Sequence, residues 1–167
     1  MTMRKRLRGQ STIEFALLLP LMIMLLFFVV NATLLYDTWV KCDAAAIEGA
    51  RYVALHDTSG GEASDTAVQN HAADSVGMND GSLHVAVSRG SWQNSGSYQM
   101  SVLQDDVTGG RRWATTTAHN RDRTYTVTAT CDYHILGADF LGDWSVVHLS
   151  RTHTGVTSQE GVNDDLL

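Results

Sequence analysis

Residues 15–36 read FALLLPLMIMLLFFVVNATLLY and carry no charged side chain. As an α-helix this stretch is about 33 Å long, because each residue adds 1.5 Å, and the hydrocarbon core of a bilayer is about 30 Å thick. A helix buried in a soluble protein shows a polar stripe, which this stretch lacks. A cleaved secretory signal has a shorter apolar region, with a small-residue cleavage site close behind it. We therefore expect a transmembrane helix that stays in place as an anchor.

The charges on either side of this stretch predict its orientation. Four cations and no acid precede it, at Arg4, Lys5, Arg6 and Arg8. Cations stay on the cytoplasmic side of a membrane, so we expect a cytoplasmic N-terminus and an extracytoplasmic remainder. Without these four cations the chain has 8 basic residues (12 minus 4) against 18 acidic ones. Such a surface offers no basic face to a polyanion, and we expect no nucleic-acid partner.

Two residues before the apolar stretch do not fit a plain anchor. Glu14 places a carboxylate at the apolar edge, where a charge is costly and usually functional. Gly9 lies between the cations and the sequence QSTIEF. Taken singly, they are explained by a linker glycine and by a carboxylate that reaches the membrane interface. Together with Phe15 they form the pattern Gly-x-x-x-x-Glu-aromatic, preceded by cations and followed by a long apolar run.

This pattern resembles the prepilin signal of type IV pilins and pseudopilins. It is most similar to the TadE-like minor pilins of the tight-adherence (Tad/Flp, type IVc) pilus system. That family also has a proline within the apolar helix, here Pro20, and an alanine-rich stretch that ends in Ala-Arg, here AAAIEGARY at 44–52. The resemblance covers roughly residues 9–54, and it is weak beyond them.

The resemblance implies that residues 1–9 are a basic leader, removed by a prepilin peptidase between Gly9 and Gln10. The peptidase is a separate membrane protease, so this chain is its substrate and not an enzyme, with no catalytic residue and no cofactor. Glu14, fifth in the mature chain, would neutralise the N-terminal amine of a neighbouring subunit, which makes Glu14 and Phe15 the docking residues. The implied partners are the peptidase, other pilin and pseudopilin subunits, the assembly platform of the bacterial inner membrane, and the lipid bilayer.

Pro20 should weaken the apolar helix locally. Proline has no backbone N–H, so the carbonyl of Ala16 loses its helical partner, and the helix is expected to kink or loosen there. One interpretation is an ordinary tolerated transmembrane proline. The other is a point that extends when the subunit leaves the membrane for a filament.

The helix is expected to continue beyond the membrane, over residues 10–56 in all. A loop signal at 57–61 follows it and opens an extracytoplasmic domain at 57–167. An apolar stripe along the protruding part should pack against this domain or a neighbouring subunit. Its members are Tyr36, Val40, Ala44, Ile47 and Ala54. A second helix is predicted at 63–76, capped by Gly77.

The rest of the domain predicts an antiparallel sheet of three to four strands, and so an α+β fold. Alternating apolar residues predict strands at 83–89 and 125–135, the second paired as a hairpin with 144–154. Residues 90–123 are interpreted as a polar surface insertion, within which Tyr98, Met100 and Val102 could form an extra strand and 109–112 a turn. The tail after 157 lacks periodicity and is expected to be irregular.

Two cysteines, Cys42 and Cys131, fall on the predicted outer side of the membrane, where thiols can oxidise. They are a candidate disulfide, and two separate buried thiols are an equally open interpretation. Two cysteines are too few for a four-cysteine zinc site, and we expect no metal. The leading functional hypothesis is a TadE-like minor pilin or pseudopilin. The alternative is a single-pass anchored extracytoplasmic binding domain with no pilus role, while the lack of a convergent catalytic set disfavours an anchored enzyme.

Overall fold

The computed structural model describes residues 7–58, 60–105, 110–137 and 145–162. The chain is mixed α+β, as the sequence predicted, with two helices and a four-stranded sheet in the described residues. In chain order the elements are α1 (Leu7–His56), α2 (Asp65–Val76), β1 (Leu83–Arg89), β2 (Gln93–Asp105), β3 (Arg111–His134) and β4 (Val146–Val162).

Helix α1 is 50 residues long and runs without interruption through Pro20 to His56, where the sequence predicted its end. An 18-residue window within it has a mean hydropathy of 2.6, and none of that window is buried. Among the described residues, α1 is the one helix long and apolar enough to cross a membrane. By length and composition it is therefore compatible with a single-pass membrane anchor.

Strand β3 is the centre of the sheet. Its second half pairs antiparallel with β1, from Leu83 opposite Cys131 to Arg89 opposite Tyr125. Its first half pairs antiparallel with β2 at residues 111–122, with a register shift between Asn94 and Gly96 in β2. Strand β4 also pairs with β3, which confirms the predicted pairing of the last two strands. Each described strand other than β3 is thus hydrogen-bonded to β3.

The structure extends several predicted strands. The extra strand predicted around Tyr98 is present as part of β2, but the predicted turn at 109–112 is wrong at Arg111 and Arg112, which begin β3. The tail after Thr157, expected to be irregular, continues β4 to Val162. These segments expose both apolar and polar side chains; Trp113, for example, is 70% exposed. A strand whose two faces are both exposed to solvent shows no alternation of apolar and polar residues. A prediction based on that alternation therefore underestimates the length of the strand.

The residues group into two compact units, each described by itself. The first comprises Met1–Val40 and Tyr133–Val147, and the second comprises Lys41–Asp132 and His148–Leu167. The second unit holds the hydrophobic core, in which the last part of α1 packs against α2, β1 and β3. Its buried members are Cys42, Ala45, Ala46, Ala50 and Val53 from α1, Val68 and Ala72 from α2, Leu83 and Val85 from β1, and Tyr125, Val127, Ala129 and Cys131 from β3.

The large residues of the stripe predicted on α1 are exposed in this chain: Tyr36 is 66% exposed and Ile47 is 43% exposed. Small residues beside Ile47 are fully buried instead, and packing of the stripe against a neighbouring subunit stays a prediction. We call the buried face of Cys42, Ala45, Ala46, Gly49, Ala50 and Val53 the small-residue seam. Gly49 shows why the seam consists of small residues, because a Cβ built there would lie 3.1 Å from a methyl carbon of Val127. The sheet approaches the helix too closely for larger side chains.

Helix α2 is bounded by the caps that its sequence predicts, although it begins two residues later than expected. The Ser64 hydroxyl accepts a hydrogen bond from the backbone N–H of Ala67, at 3.2 Å. Gly77 adopts the left-handed conformation with φ of 69°, and its N–H reaches the carbonyl of Ala73. Together the caps satisfy backbone groups that the ends of a short helix leave unpaired.

Candidate functional site

The predicted signal residues lie in the first turns of α1. Gly9 and Gln10 have helical backbone, and the side chain of Gln10 lies outside the described part of the chain. Glu14 and Phe15 follow on the same helix with exposed side chains; Phe15 is 66% exposed. The structure therefore presents both predicted docking residues at the surface of α1, where another chain can reach them.

The apolar segment of α1 exposes large hydrophobic side chains in all directions. Those between Phe15 and Val30 are 42% to 75% exposed. A continuous apolar surface of this extent marks a membrane or protein interaction site in a folded protein. The segment is therefore suited to lie in a membrane or against another protein.

Asn31 lies towards the C-terminal end of this apolar segment, and its role was not predicted from the sequence. The side-chain oxygen of Asn31 accepts hydrogen bonds from the Tyr133 hydroxyl at 3.0 Å and from the Leu136 backbone N–H at 2.9 Å. Its amide nitrogen donates to the carbonyl of Phe27 at 3.0 Å. Within the first unit, Asn31 therefore holds the end of β3 against α1. Its signal in the sequence is a lone amide within an otherwise apolar run.

The structure brings the two cysteines together. Both thiols are free and fully buried, Cys42 on α1 and Cys131 on β3. Cys42 Sγ donates to the carbonyl of Ala129 at 3.5 Å, and it also lies 3.7 Å from the carbonyl oxygen of Leu149. A disulfide between Cys42 and Cys131 stays a prediction.

Burial makes both thiols weak acids. It raises the pKa of Cys42 above the ordinary value, and a side-chain hydrogen bond with Cys131 opposes this only in part. It raises the pKa of Cys131 as well, and the same contact with Cys42 raises it further. The contact places the two thiols next to each other. Because the thiolate is the reactive form, these neutral thiols are unreactive in the folded chain.

A cluster of charges ties the end of α1 to the sheet. The Asp57 carboxylate is fully buried; it accepts from Arg89 Nε at 2.7 Å, and Arg123 Nη1 lies 3.8 Å away. Arg89 also binds Asp65 of α2 at 2.8 Å, and Arg123 binds Glu62 at 2.6 Å. Burial would lower the pKa of Arg89, but hydrogen bonds to Asp65 and Asp57 outweigh it and raise the pKa. The Arg89 guanidinium therefore stays charged, and the ion pairs of Arg89 and Arg123 link the end of α1, α2, β1 and β3 within the second unit.

The sequence predicted a loop at Asp57 and a surface insertion at Arg123, so this cluster was not expected. We call it the Asp57 cluster; its members are Asp57, Glu62, Asp65, Arg89 and Arg123. Each arginine is 24 residues or more along the chain from the carboxylates it contacts, so no local pattern could reveal the cluster. Among the described residues, no group of three or more histidine, cysteine and acidic side chains is arranged to hold a metal ion.

In the described part of the chain, one exposed apolar helix near the N-terminus continues into a small α+β unit, an arrangement compatible with a helix-anchored protein. Residues 9–51 match the family model described as TadE-like protein. The match confirms the resemblance drawn from the sequence: this segment is TadE-like, of the kind found in the Tad pilus system. It includes the signal residues, the apolar segment and most of the small-residue seam. No curated protein and no solved structure matches the chain significantly.

Proposed function

We propose that this chain is a minor pilin or pseudopilin that inserts in the bacterial inner membrane and takes part in assembly of a Tad-type pilus. The observation that carries the proposal is the TadE-like match over residues 9–51, together with the exposed apolar segment of α1. The TadE-like pilin family is structural, and on this proposal the chain acts by inserting and docking rather than by catalysis. Its N-terminus is cytoplasmic, its second unit is extracytoplasmic, and the pilus can incorporate the subunit.

Processing is the first step of the proposed function. A prepilin peptidase removes residues 1–9 by cutting between Gly9 and Gln10. Glycine suits this position because it has no side chain and accepts the extended backbone that a protease cleft requires. N-terminal sequencing of the protein extracted from membranes tests the step. A start at Gln10 supports it, and an intact start at Met1 supports the alternative, an anchored binding domain with no pilus role.

The Gly9→Leu variant sharpens this test. We expect the leader to be retained, because the added side chain must enter the protease cleft beside the cleaved bond. Gly60→Leu is a matched control: no atom lies within 4 Å of a Cβ built at Gly60, so the variant should be processed normally. Normal processing of Gly9→Leu would overturn the assignment of the cleavage site.

Docking is the second step. Cleavage creates a new α-amino group, with an ordinary pKa of about 7.7 to 8.0, at the edge of the apolar segment. The Glu14 carboxylate of one subunit neutralises this amine on another during assembly. Losing one partner of such a pair in an apolar setting costs about 3–5 kcal/mol. Phe15 adds apolar contact beside it.

Glu14→Ala separates insertion from assembly. The variant should still insert, because losing a charge makes the helix more apolar, but it should not co-purify with the pilus assembly proteins. Glu48→Ala, at another glutamate of α1 outside the apolar segment, should both insert and co-purify. Normal co-purification of the Glu14→Ala variant would contradict the docking role of Glu14, and it would not bear on the proposed processing by the peptidase.

A further inference from the structure

The hydrogen bonds of Asn31 place one end of the sheet at a defined height along the apolar helix. Within the first unit, the Tyr133 hydroxyl and the Leu136 backbone N–H both donate to the Asn31 side chain. The close approach continues at Gly137, where a Cβ would lie 2.9 Å from the ring of Phe27. Residues 133–137 therefore run along the helix beside residues 27–31.

The height of this contact lies inside the apolar segment. Asn31 is 16 residues beyond Phe15, or about 24 Å at 1.5 Å per residue, whereas a bilayer core is about 30 Å thick. A helix that enters the core at Phe15 thus leaves Asn31 about 6 Å below the outer edge. Tyr36 and Trp39 stack on one another above it, with ring centroids 6.0 Å apart. Such aromatic residues favour the membrane interface, which gives a second marker of the outer edge.

The hydrogen bonds of Tyr133, Ile135 and Leu136 suit that depth. Backbone groups in a membrane must find partners within the protein, and here the Leu136 N–H has Asn31 while the Ile135 N–H donates to the Ser145 carbonyl at 2.7 Å. The Tyr133 hydroxyl is satisfied by Asn31 as well. Leu136 in turn leaves its apolar side chain 49% exposed, on the same unit as the exposed apolar helix.

We propose that residues 133–137 form a second membrane contact, which enters the outer leaflet beside α1 and presents Leu136 to the lipid acyl chains. The partner is the lipid itself, and the exposed apolar surface of α1 continues onto this segment. The inference rests on the membrane anchoring in the proposed function. It adds that the chain meets the bilayer through the end of its sheet as well as through one helix.

Fluorescence quenching in vesicles tests the contact. The full chain is reconstituted in phosphatidylethanolamine and phosphatidylglycerol vesicles, with an environment-sensitive dye on Leu136→Cys and a lipid spin-labelled near the top of its acyl chain. Leu25→Cys reports insertion of α1, and Val156→Cys, at a similarly exposed residue of β4, is the matched control. The native cysteines are fully buried, and the unsubstituted chain measures their background labelling.

We expect a blue-shifted and quenched dye at positions 25 and 136, and neither effect at position 156. Quenching at 25 without quenching at 136 would overturn the second contact and leave the anchor intact. Equal quenching at 136 and 156 would also overturn it, because the contact would not be specific to this segment. No quenching at 25 would overturn the anchor and the contact together.

A pair of variants tests whether Asn31 sets the depth. Asn31→Ala removes the side-chain oxygen that accepts from Tyr133 and Leu136, and it leaves only the longer contact, at 3.3 Å, of the Tyr133 hydroxyl with the backbone carbonyl of residue 31. Quenching at position 136 should therefore fall while quenching at position 25 persists. Thr33→Val is the control, because the Thr33 hydroxyl donates to the Val29 carbonyl of its own helix. Unchanged quenching at 136 in Asn31→Ala would show that the contact does not depend on these bonds, and would overturn the proposed arrangement.

Discussion

At the scale of single residues, the two buried thiols carry the clearest chemistry of the second unit. Cys42 and Cys131 lie in side-chain contact, which the sequence alone left open. Their burial and raised pKa values oppose oxidation in the folded chain, so a disulfide must form while the unit is still open. The oxidant is an external disulfide, which takes up two electrons by thiol–disulfide exchange as both thiols lose their protons.

We predict that protein taken from an oxidising envelope carries the Cys42–Cys131 disulfide. In the chain-entropy model, closing this loop stabilises the fold by about 4–5 kcal/mol. The measurement is alkylation of the denatured protein with and without prior reduction, followed by mass spectrometry. Labelling of both thiols without reduction would contradict the prediction, and protein made in a reducing cytosol provides the reduced reference.

In the reduced protein, the same thiols predict a loss of stability at alkaline pH. Their folded-state pKa values lie above the ordinary 9.0, so the unfolded chain releases these protons first as the pH rises. Their contribution to the free energy of unfolding is fully present below pH 9.0 and falls above it. Burial, and then the charge of Asp57, raise the pKa of Tyr125 above 10.0, which adds to the fall.

Urea unfolding in reductant, repeated from neutral to alkaline pH, measures this fall. The double variant Cys42→Ala with Cys131→Ala should show a shallower decline than the unsubstituted chain. Tyr125→Phe removes the tyrosine hydroxyl whose pKa burial raises, and its decline should also be shallower. Equal slopes in all three proteins would contradict the assignment.

At the scale of elements, the Asp57 cluster joins four of them. Asp57→Ala should lower the free energy of unfolding by about 3–5 kcal/mol, because it leaves two nearly buried guanidinium groups without their shared carboxylate. Glu48→Ala is the control. Its partner Arg51 lies 3.9 Å away on the surface, and the loss should stay within about 0.5 kcal/mol. Urea unfolding in detergent compares the two variants.

The small-residue seam predicts a sharp size limit at Gly49. Gly49→Leu should destabilise the second unit by about 1–3 kcal/mol or more, because Val127, Val68 and Val85 already occupy the space around its Cα. Ile47→Leu introduces the same side chain at an exposed site two residues away, and its stability should be nearly unchanged. Equal thermal unfolding midpoints for both variants would contradict the close approach.

The helices and β1 could be predicted from the sequence, because local signals set their limits. Ser64 and Gly77 cap α2, and the alternation in β1 matches one buried face. The face of α1 that packs could not be predicted from hydrophobicity, since the sheet selects small residues over Ile47 and Tyr36. The charge cluster and the Asn31 contact depend on partners far along the chain, and no local pattern encodes them.

At the scale of the whole molecule, processing would change the charge. The full chain has a formal net charge of −6 and a calculated isoelectric point of about 5.5. Removal of residues 1–9 takes away four of its 12 basic residues and no acid, which gives 8 minus 18, or −10. We predict that the mature protein focuses at a lower pH than its precursor. Isoelectric focusing checks this, with Gly9→Leu as the retained precursor; identical positions for both would contradict cleavage in this region.

The seam also fixes the order in which the chain can complete its fold. The residues that cover this part of α1 lie much later in the sequence. The Cys42 thiol donates to the carbonyl of Ala129, which is 87 residues further along the chain. The Thr157 hydroxyl donates to the carbonyl of Ala54, which is 103 residues earlier. Contacts this distant in sequence form slowly and only after the later segment has arrived. If the second unit is extracytoplasmic, as proposed, the small-residue seam of α1 emerges first during export and stays uncovered until nearly the whole chain has crossed. A translocating subunit needs shelter for that interval, from the membrane surface or from a companion protein.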